Sequence, residues 1–151
     1  MQSLLNIDDF VVEDFSITTN PDYTRPEKEE SDDIGISFDI KRKGNEPFFM
    51  LTLQIDLNKS KKAYTCVPYR IALKMSGFFS FAEGTAEEAM NKMIGLNGLS
   101  ILYGIARGTV AQFTATCSHG KFVLPSMNFV ELLKKKAIAS GKPVQKIADK
   151  K

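Results

Sequence analysis

The sequence predicts an α+β fold: a four-stranded antiparallel sheet covered by a long helix and a short C-terminal helix. Three observations carry that expectation. Four segments of the first half alternate apolar and polar residues at period two. From Ala86 to about Thr116 apolar residues recur near helical spacing with no proline between them. A last amphipathic stretch starts near Ser126 or Asn128, with Phe129, Leu132 and Leu133 on one face and Gly141 and Pro143 to stop it.

The first strand segment, Leu4 to Ile17, changes phase twice. Its apolar residues begin on odd positions (Leu5, Ile7), move to even ones (Phe10, Val12) and return to odd (Phe15, Ile17). A one-residue slip sends every side chain to the other face, so one flat strand cannot hold this pattern. It implies one long strand with bulges, or two short strands. Asn20 to Arg25, Pro26 and the acidic run to Asp33 form an exposed loop. Ile34, Ile36, Phe38 and Ile40 alternate as the second strand, and Phe49, Leu51, Leu53, Ile55 and Leu57 as the third. Asn58 to Lys62 makes a lysine-rich hairpin. The fourth strand is expected from Tyr64 to about Met75, with Pro68 marking an edge or a bulge.

Thr85 with Glu88 three residues on is a capping-box pattern for the long helix, and Gly77-Phe78-Phe79 leads into it. Gly95, Gly98, Gly104 and Gly108 lie inside the helix, where each costs about 1 kcal/mol against alanine. A kink near Asn97-Gly98 accounts for some of them. Close packing against a second copy, along Gly104, Gly108, Ala111 and Ala115, accounts for the others. Ser118-His119-Gly120 ends the helix, and Lys121 to Pro125 is an extended linker.

With 151 residues, 43% of them hydrophobic, the chain suits one domain, 1–151, whose lysine-rich end (142–151) is expected to be a flexible tail. No apolar run is long enough to span a bilayer, and the first residues lack the basic and apolar regions of a secretory signal. Cys66 and Cys117 have no metal-type spacing and read as reduced thiols of a cytoplasmic protein. The net charge of +2 hides an asymmetry: ten acids between Asp8 and Asp33 face only Arg25 and Lys28, whereas seven lysines from Lys134 onward face only Asp149. That basic end has no arginine or aromatic residue to read or stack on a base, so it reads as a solvated terminus, and neither nucleic acid nor membrane is expected as a partner.

Chemistry finds no constellation. Cys117 and His119 are two apart at a helix end, where side chains diverge, and no acid stands near His119 to orient it. A histidine near a helix C-terminus is better explained by the helix dipole. No phosphate loop, metal cluster or carboxylate pair appears, so no catalytic residue, metal or cofactor is expected.

The second half carries a family likeness. Ile101-Leu102-Tyr103-Gly104-Ile105-Ala106-Arg107, the stretch His119-Gly120 to Leu124-Pro125-Ser126-Met127-Asn128-Phe129, and the Gly77-Phe78-Phe79 entry stand in the order of three motifs of the SecB export chaperones, which the chain resembles from about Gly77 to Leu133. The order of strands before Gly77 is similar too. The resemblance implies an ATP-independent holdase chaperone, homo-oligomeric as a dimer or tetramer, that keeps unfolded preproteins or another non-native polypeptide in apolar grooves. It places Ile36, Phe38, Phe129, Leu132 and Leu133 in the client groove, with Phe122 and Leu124 of the linker. Long helices between subunits make Leu102, Gly104, Gly108 and Ala111 the expected oligomer interface.

The departures from the family pattern are specific. Gly104 replaces the proline of the family's helix signature, and Ile105 the tyrosine of its Tyr-Ala-Arg triplet. The loop from Asn20 to Asp33 corresponds to the family's crossover loop, which normally carries a tryptophan, and holds none. Ala72, between Arg70 and Lys74, stands where the docking surface for the SecA motor carries acid, and lysines replace the acidic tail. SecA is the motor partner that the resemblance names, and these changes count against it. The alternative is a dedicated chaperone for one partner, such as an antitoxin.

Overall fold

The computed structural model describes residues 3–25, 33–60 and 66–139. The strands are β1 (Leu5–Thr19), β2 (Ile34–Arg42), β3 (Phe48–Leu57) and β4 (Tyr69–Phe81). All pair antiparallel in the order β1-β4-β3-β2, so three consecutive strands form a meander and the first returns beside the fourth. Helix α1 (Glu87–Met93) passes through a π-helical turn, Ile94–Gly98, into α2 (Leu99–Thr114), and α3 (Phe129–Ala139) follows the linker. No helix among the described residues is long and apolar enough to cross a membrane.

The phase changes of β1 are bulges. Its register with β4 shifts between Ile7 and Asp9 and again between Val12 and Asp14. Asp8 and Glu13 are the extra residues, and each resets the alternation. Leu5, Phe10, Val12, Phe15 and Ile17 thereby stand opposite Phe81, Gly77, Met75, Leu73 and Ile71 on one face of the sheet.

That face is the floor of the core. Leu51, Leu53, Ile55 and Leu57 of β3 and Ile71, Leu73, Met75 and Phe79 of β4 are all but fully buried under Ile94, Leu99, Leu102, Ala106 and Val110 of the helical segment. The opposite face of β4 carries Arg70, Ala72 and Lys74, so the position expected to bear acid lies between two cations.

Four local expectations are corrected. The fourth strand begins at Tyr69, with residues 66–68 in a turn before it, and Tyr64, where it was expected to start, lies outside the described residues. Pro68 precedes the strand rather than breaking it, and its carbonyl accepts from Asn20 N at 2.9 Å. Gly77 to Phe81 is strand and not a lead-in, because β1 and β3 flank it: Phe79 faces Ile7 on one side and Phe49 on the other. The capping box does not form. Thr85 Oγ1 donates to Ala82 O, and Glu88 pairs instead with Lys92 at 3.2 Å. The first turn of α1 is held by Glu87, whose two carboxylate oxygens accept from the Arg42 guanidinium. Arg42 also donates to Glu46 O and Asn45 O and lies 5.0 Å from the Phe49 ring centroid, so one arginine joins the β2–β3 turn to α1.

The glycines fall into two groups. A Cβ on Gly98 would meet Ile94 Cδ1 at 3.4 Å and one on Gly95 would meet Leu133 at 3.6 Å. These two sit in the π-helical turn and let sheet and α3 approach. Gly104 and Gly108 have nothing within 4 Å of such a Cβ.

Candidate functional site

The seam between β2 and α3 is where the core is left unsealed. β2 is an edge strand, and its apolar residues Ile34, Ile36, Phe38 and Ile40 are only half-buried, unlike those on the same face of β3 and β4. The backbone pattern fixes where its polar groups point. Asn58 N donates to Asp33 O, and Lys43 N to Phe48 O, so odd-numbered residues exchange hydrogen bonds with β3. In an antiparallel ladder the alternate residues then point their N–H and C=O the other way. Ile34, Ile36, Phe38 and Ile40 therefore present their backbone to the open edge and their side chains to the face under α3.

Helix α3 roofs this seam. Asn128 caps it, its Oδ1 accepting from Glu131 N at 3.2 Å. Phe129 packs edge-on to Tyr103 with centroids 5.3 Å apart, and Leu133 meets the π-helical turn at Gly95. The linker that delivers α3 is tied to α2: Tyr103 Oη donates to Pro125 O at 2.5 Å, Arg107 Nε to Leu124 O at 2.9 Å, and Phe122 N to Thr114 Oγ1 at 2.8 Å. Between roof and edge lies a groove of about 340 Å³ lined by Ile36, Ser37, Phe38, Leu132, Lys135 and Lys136. Lys136 Nζ donates to Phe38 O at 2.6 Å and stands 3.8 Å from the Phe38 ring centroid.

Of the residues expected at a client groove, the structure brings Ile36, Phe38 and Leu132 to this wall. Leu133 is half-buried beside it, under the turn at Gly95. Leu124 and Phe129 are core residues, 0% and 6% exposed, and their side chains are closed to any ligand in this conformation. Phe122 packs at the far end of the linker, near Tyr69. Lys135 and Lys136, the charged part of the lining, were not anticipated. Their signal was present, since they follow Leu132 by three and four residues and share its side of the helix.

The expected oligomer residues also divide. Leu102 is fully buried against Gly77 inside the subunit and is corrected to a core residue. Gly104 and Gly108 are exposed and Ala111 is half-exposed, on the side of α2 away from the sheet. Phe113, read with the helical stripe, is 55% exposed and packs edge-on to Phe15 of β1.

Sequence reasoning missed a polar hub at one end of the sheet. Asn58, buried and with φ 56°, accepts from Asp33 N on Oδ1 and donates Nδ2 to Tyr69 O. Asn20 is buried as well; it donates Nδ2 to Val67 O and accepts from Asp22 N on Oδ1. His119, in the tautomer protonated at Nε2, donates to Asn20 O at 2.6 Å, and its backbone N–H donates to Tyr69 Oη. Tyr69 Oη in turn donates to Gly120 O. Burial pushes the Tyr69 hydroxyl above the usual tyrosine value, against the lowering hydrogen bond from His119. His119 thus anchors the helix end to β1, and Cys117 Sγ turns to Phe113 O. The two side chains have separate partners.

On the other face of the sheet a second, open hollow of about 430 Å³ runs over Phe48, Met50 and Phe78 beside Lys41 and Lys43. Among the described residues no group of three or more histidine, cysteine or acidic side chains is placed to hold a metal ion.

Comparison with known proteins gives this geometry a context. The family model described as SecB, preprotein translocase subunit SecB, matches residues 1–139. Compared by sequence with curated proteins, the chain matches none. By structure it is similar to a SecB-like chaperone of Mycobacterium tuberculosis, solved in complex with a ChAD peptide from an antitoxin. The TM-score is 0.62 at 12% identity, over 82% of this chain and 91% of that one. A Streptococcus agalactiae protein of unknown function aligns over 81% of this chain and 97% of its own, with TM-score 0.46 and 9% identity.

Proposed function

The chain belongs to the SecB family, and from that premise we propose that it is an ATP-independent holdase, a chaperone that binds extended, non-native polypeptide in the groove between β2 and α3. The observation that carries this is the seam itself. A half-buried apolar strand face, an outward-pointing backbone edge and a helical roof meet at one groove. An extended chain can lay side chains on the face and offer backbone partners to the edge. The work is cytoplasmic and done by a homo-oligomer, with exposed Gly104 and Gly108 letting α2 approach another copy closely.

Purified protein in several-fold excess should slow aggregation of a chemically unfolded client without nucleotide. Native mass measured with and without that client should show an oligomer that gains mass. A monomer that neither slows aggregation nor binds the client would overturn the proposal.

A second reading is a chaperone dedicated to one partner, such as an antitoxin. Two observations favour it: Arg70 and Lys74 flank Ala72 where acid would receive SecA, and the structural neighbour was solved with an antitoxin peptide. Co-purification of a single stoichiometric partner, with no general anti-aggregation activity, would select this reading over the first.

A further inference from the structure

Resting on the groove as the client site, we infer that it selects extended segments carrying carboxylates, and that Lys136 is a built-in cap on the strand edge that the client displaces. The cap is explicit in the geometry. Phe38 C=O is one of the outward-pointing groups of β2, and an antiparallel or parallel partner strand would donate an N–H to it. Lys136 Nζ occupies that position at 2.6 Å while resting on the Phe38 ring at 3.8 Å. A client strand that pairs at Phe38 competes with that ammonium for the carbonyl oxygen.

The charge of the rim says which client makes that exchange favourable. Lys135 and Lys136 both line the groove, Lys134 precedes them, and no acid is among the lining residues. A carboxylate on the client offers the displaced ammonium a charged acceptor within reach of the same side chain. A client lysine would instead meet two like charges. The apolar part of the specificity comes from Ile36, Phe38 and Leu132, which take alternate side chains of a strand. The ligand is therefore an extended peptide with apolar residues at period two and Asp or Glu beside them.

The test uses the full-length protein and labelled synthetic peptides of one alternating apolar sequence, flanked by Glu, Gln or Lys, with affinity read by fluorescence anisotropy at low salt. The Glu peptide should bind about tenfold more tightly than the Lys peptide, the sum of two partly exposed ion pairs gained in one and opposed in the other. Salt should shrink that ratio. In the Lys135→Gln/Lys136→Gln double variant, whose changes are on an exposed helix face, the ratio should fall to near one, and the Gln peptide should bind more tightly because the cap is gone. Methylating alternate peptide nitrogens on one edge of the Glu peptide should weaken binding strongly, and on the other edge little. If Glu, Gln and Lys peptides bind alike, or the preference survives in the double variant, the inference fails and the holdase reading stands. Equal effects of methylation on both edges overturn the strand-pairing cap. If no peptide binds, the groove falls, and the inference with it.

Discussion

The two edges of the sheet are opposites. β1 is fifteen residues long, bulged at Asp8 and Glu13, and studded with Asp9 and Asp14. It leaves Phe10 and Val12 45% exposed on the helix-bearing face. β2 is nine residues long and pairs with β3 without a register break. Bulges and charges spoil a strand as a template for another chain, whereas a regular edge is one. The regular edge is the one under α3 and Lys136. One sheet therefore disrupts pairing at one side and keeps a pairable strand, covered by a displaceable side chain, at the other.

The largest expected effect removes what both edges rest on. Leu53 lies opposite Phe38 and is 1% exposed, so Leu53→Ala should cost about 2–5 kcal/mol in urea unfolding. It should also weaken peptide binding, because the floor of the groove collapses toward the cavity.

Cutting the tie at the turn of β2 comes next. Arg42→Ala leaves Glu87, Glu46 O and Asn45 O without that donor, and about 1–2 kcal/mol should be lost. Glu87→Gln should cost under about 1 kcal/mol, since that carboxylate is largely exposed.

Deleting Asp8 and Glu13 together sharpens the comparison. Without them Ile7, Phe10, Val12, Phe15 and Ile17 alternate as a plain strand, each still on its present face. The fold should survive, and light scattering should show more self-association because β1 has become a regular edge. A variant that unfolds would show that the bulges are needed for the strand itself.

Tyr103 tests the hinge of the roof. Burial raises its hydroxyl above the usual value of 10.0, with the Arg107 charge opposing. The folded state thus holds that proton more tightly than the unfolded chain. Its stabilising contribution is complete below pH 10 and fades as pH rises through the folded-state value. Absorbance titration should find Tyr103 ionising late, and Tyr103→Phe should remove that step and cost about 1 kcal/mol through the lost bond to Pro125 O. The smallest effect is expected from Cys117→Ala, which should leave aggregation suppression unchanged, because Sγ hydrogen-bonds to Phe113 O and Cys117 does not line the groove.

Much of this was legible in the sequence because it is written in periodicity. The two phase changes of β1 marked where both bulges fall, and its pairing with β4 along the whole length decided for one bulged strand over two short ones. The kink expected near Asn97-Gly98 is the π-helical turn at Ile94–Gly98. Other features depended on what lies opposite. Gly77 to Phe81 reads as a helix lead-in by itself, and becomes strand because β1 and β3 bracket it. Thr85 and Glu88 have the letters of a capping box, but Arg42, forty-five residues earlier than Glu87, holds the helix start instead.

The candidate groove shows the same division. Sequence alone determined the alternation of Ile34 to Ile40, the amphipathic final helix and the lysines that follow Leu132, because these are local patterns. Tertiary structure alone decided that β2 is an edge, that Leu102, Leu124 and Phe129 are core, and that Lys136 meets Phe38 O from ninety-eight residues away. Strand order and long-range capping depend on which backbone groups remain unpaired after the sheet closes. No local pattern in the chain records that.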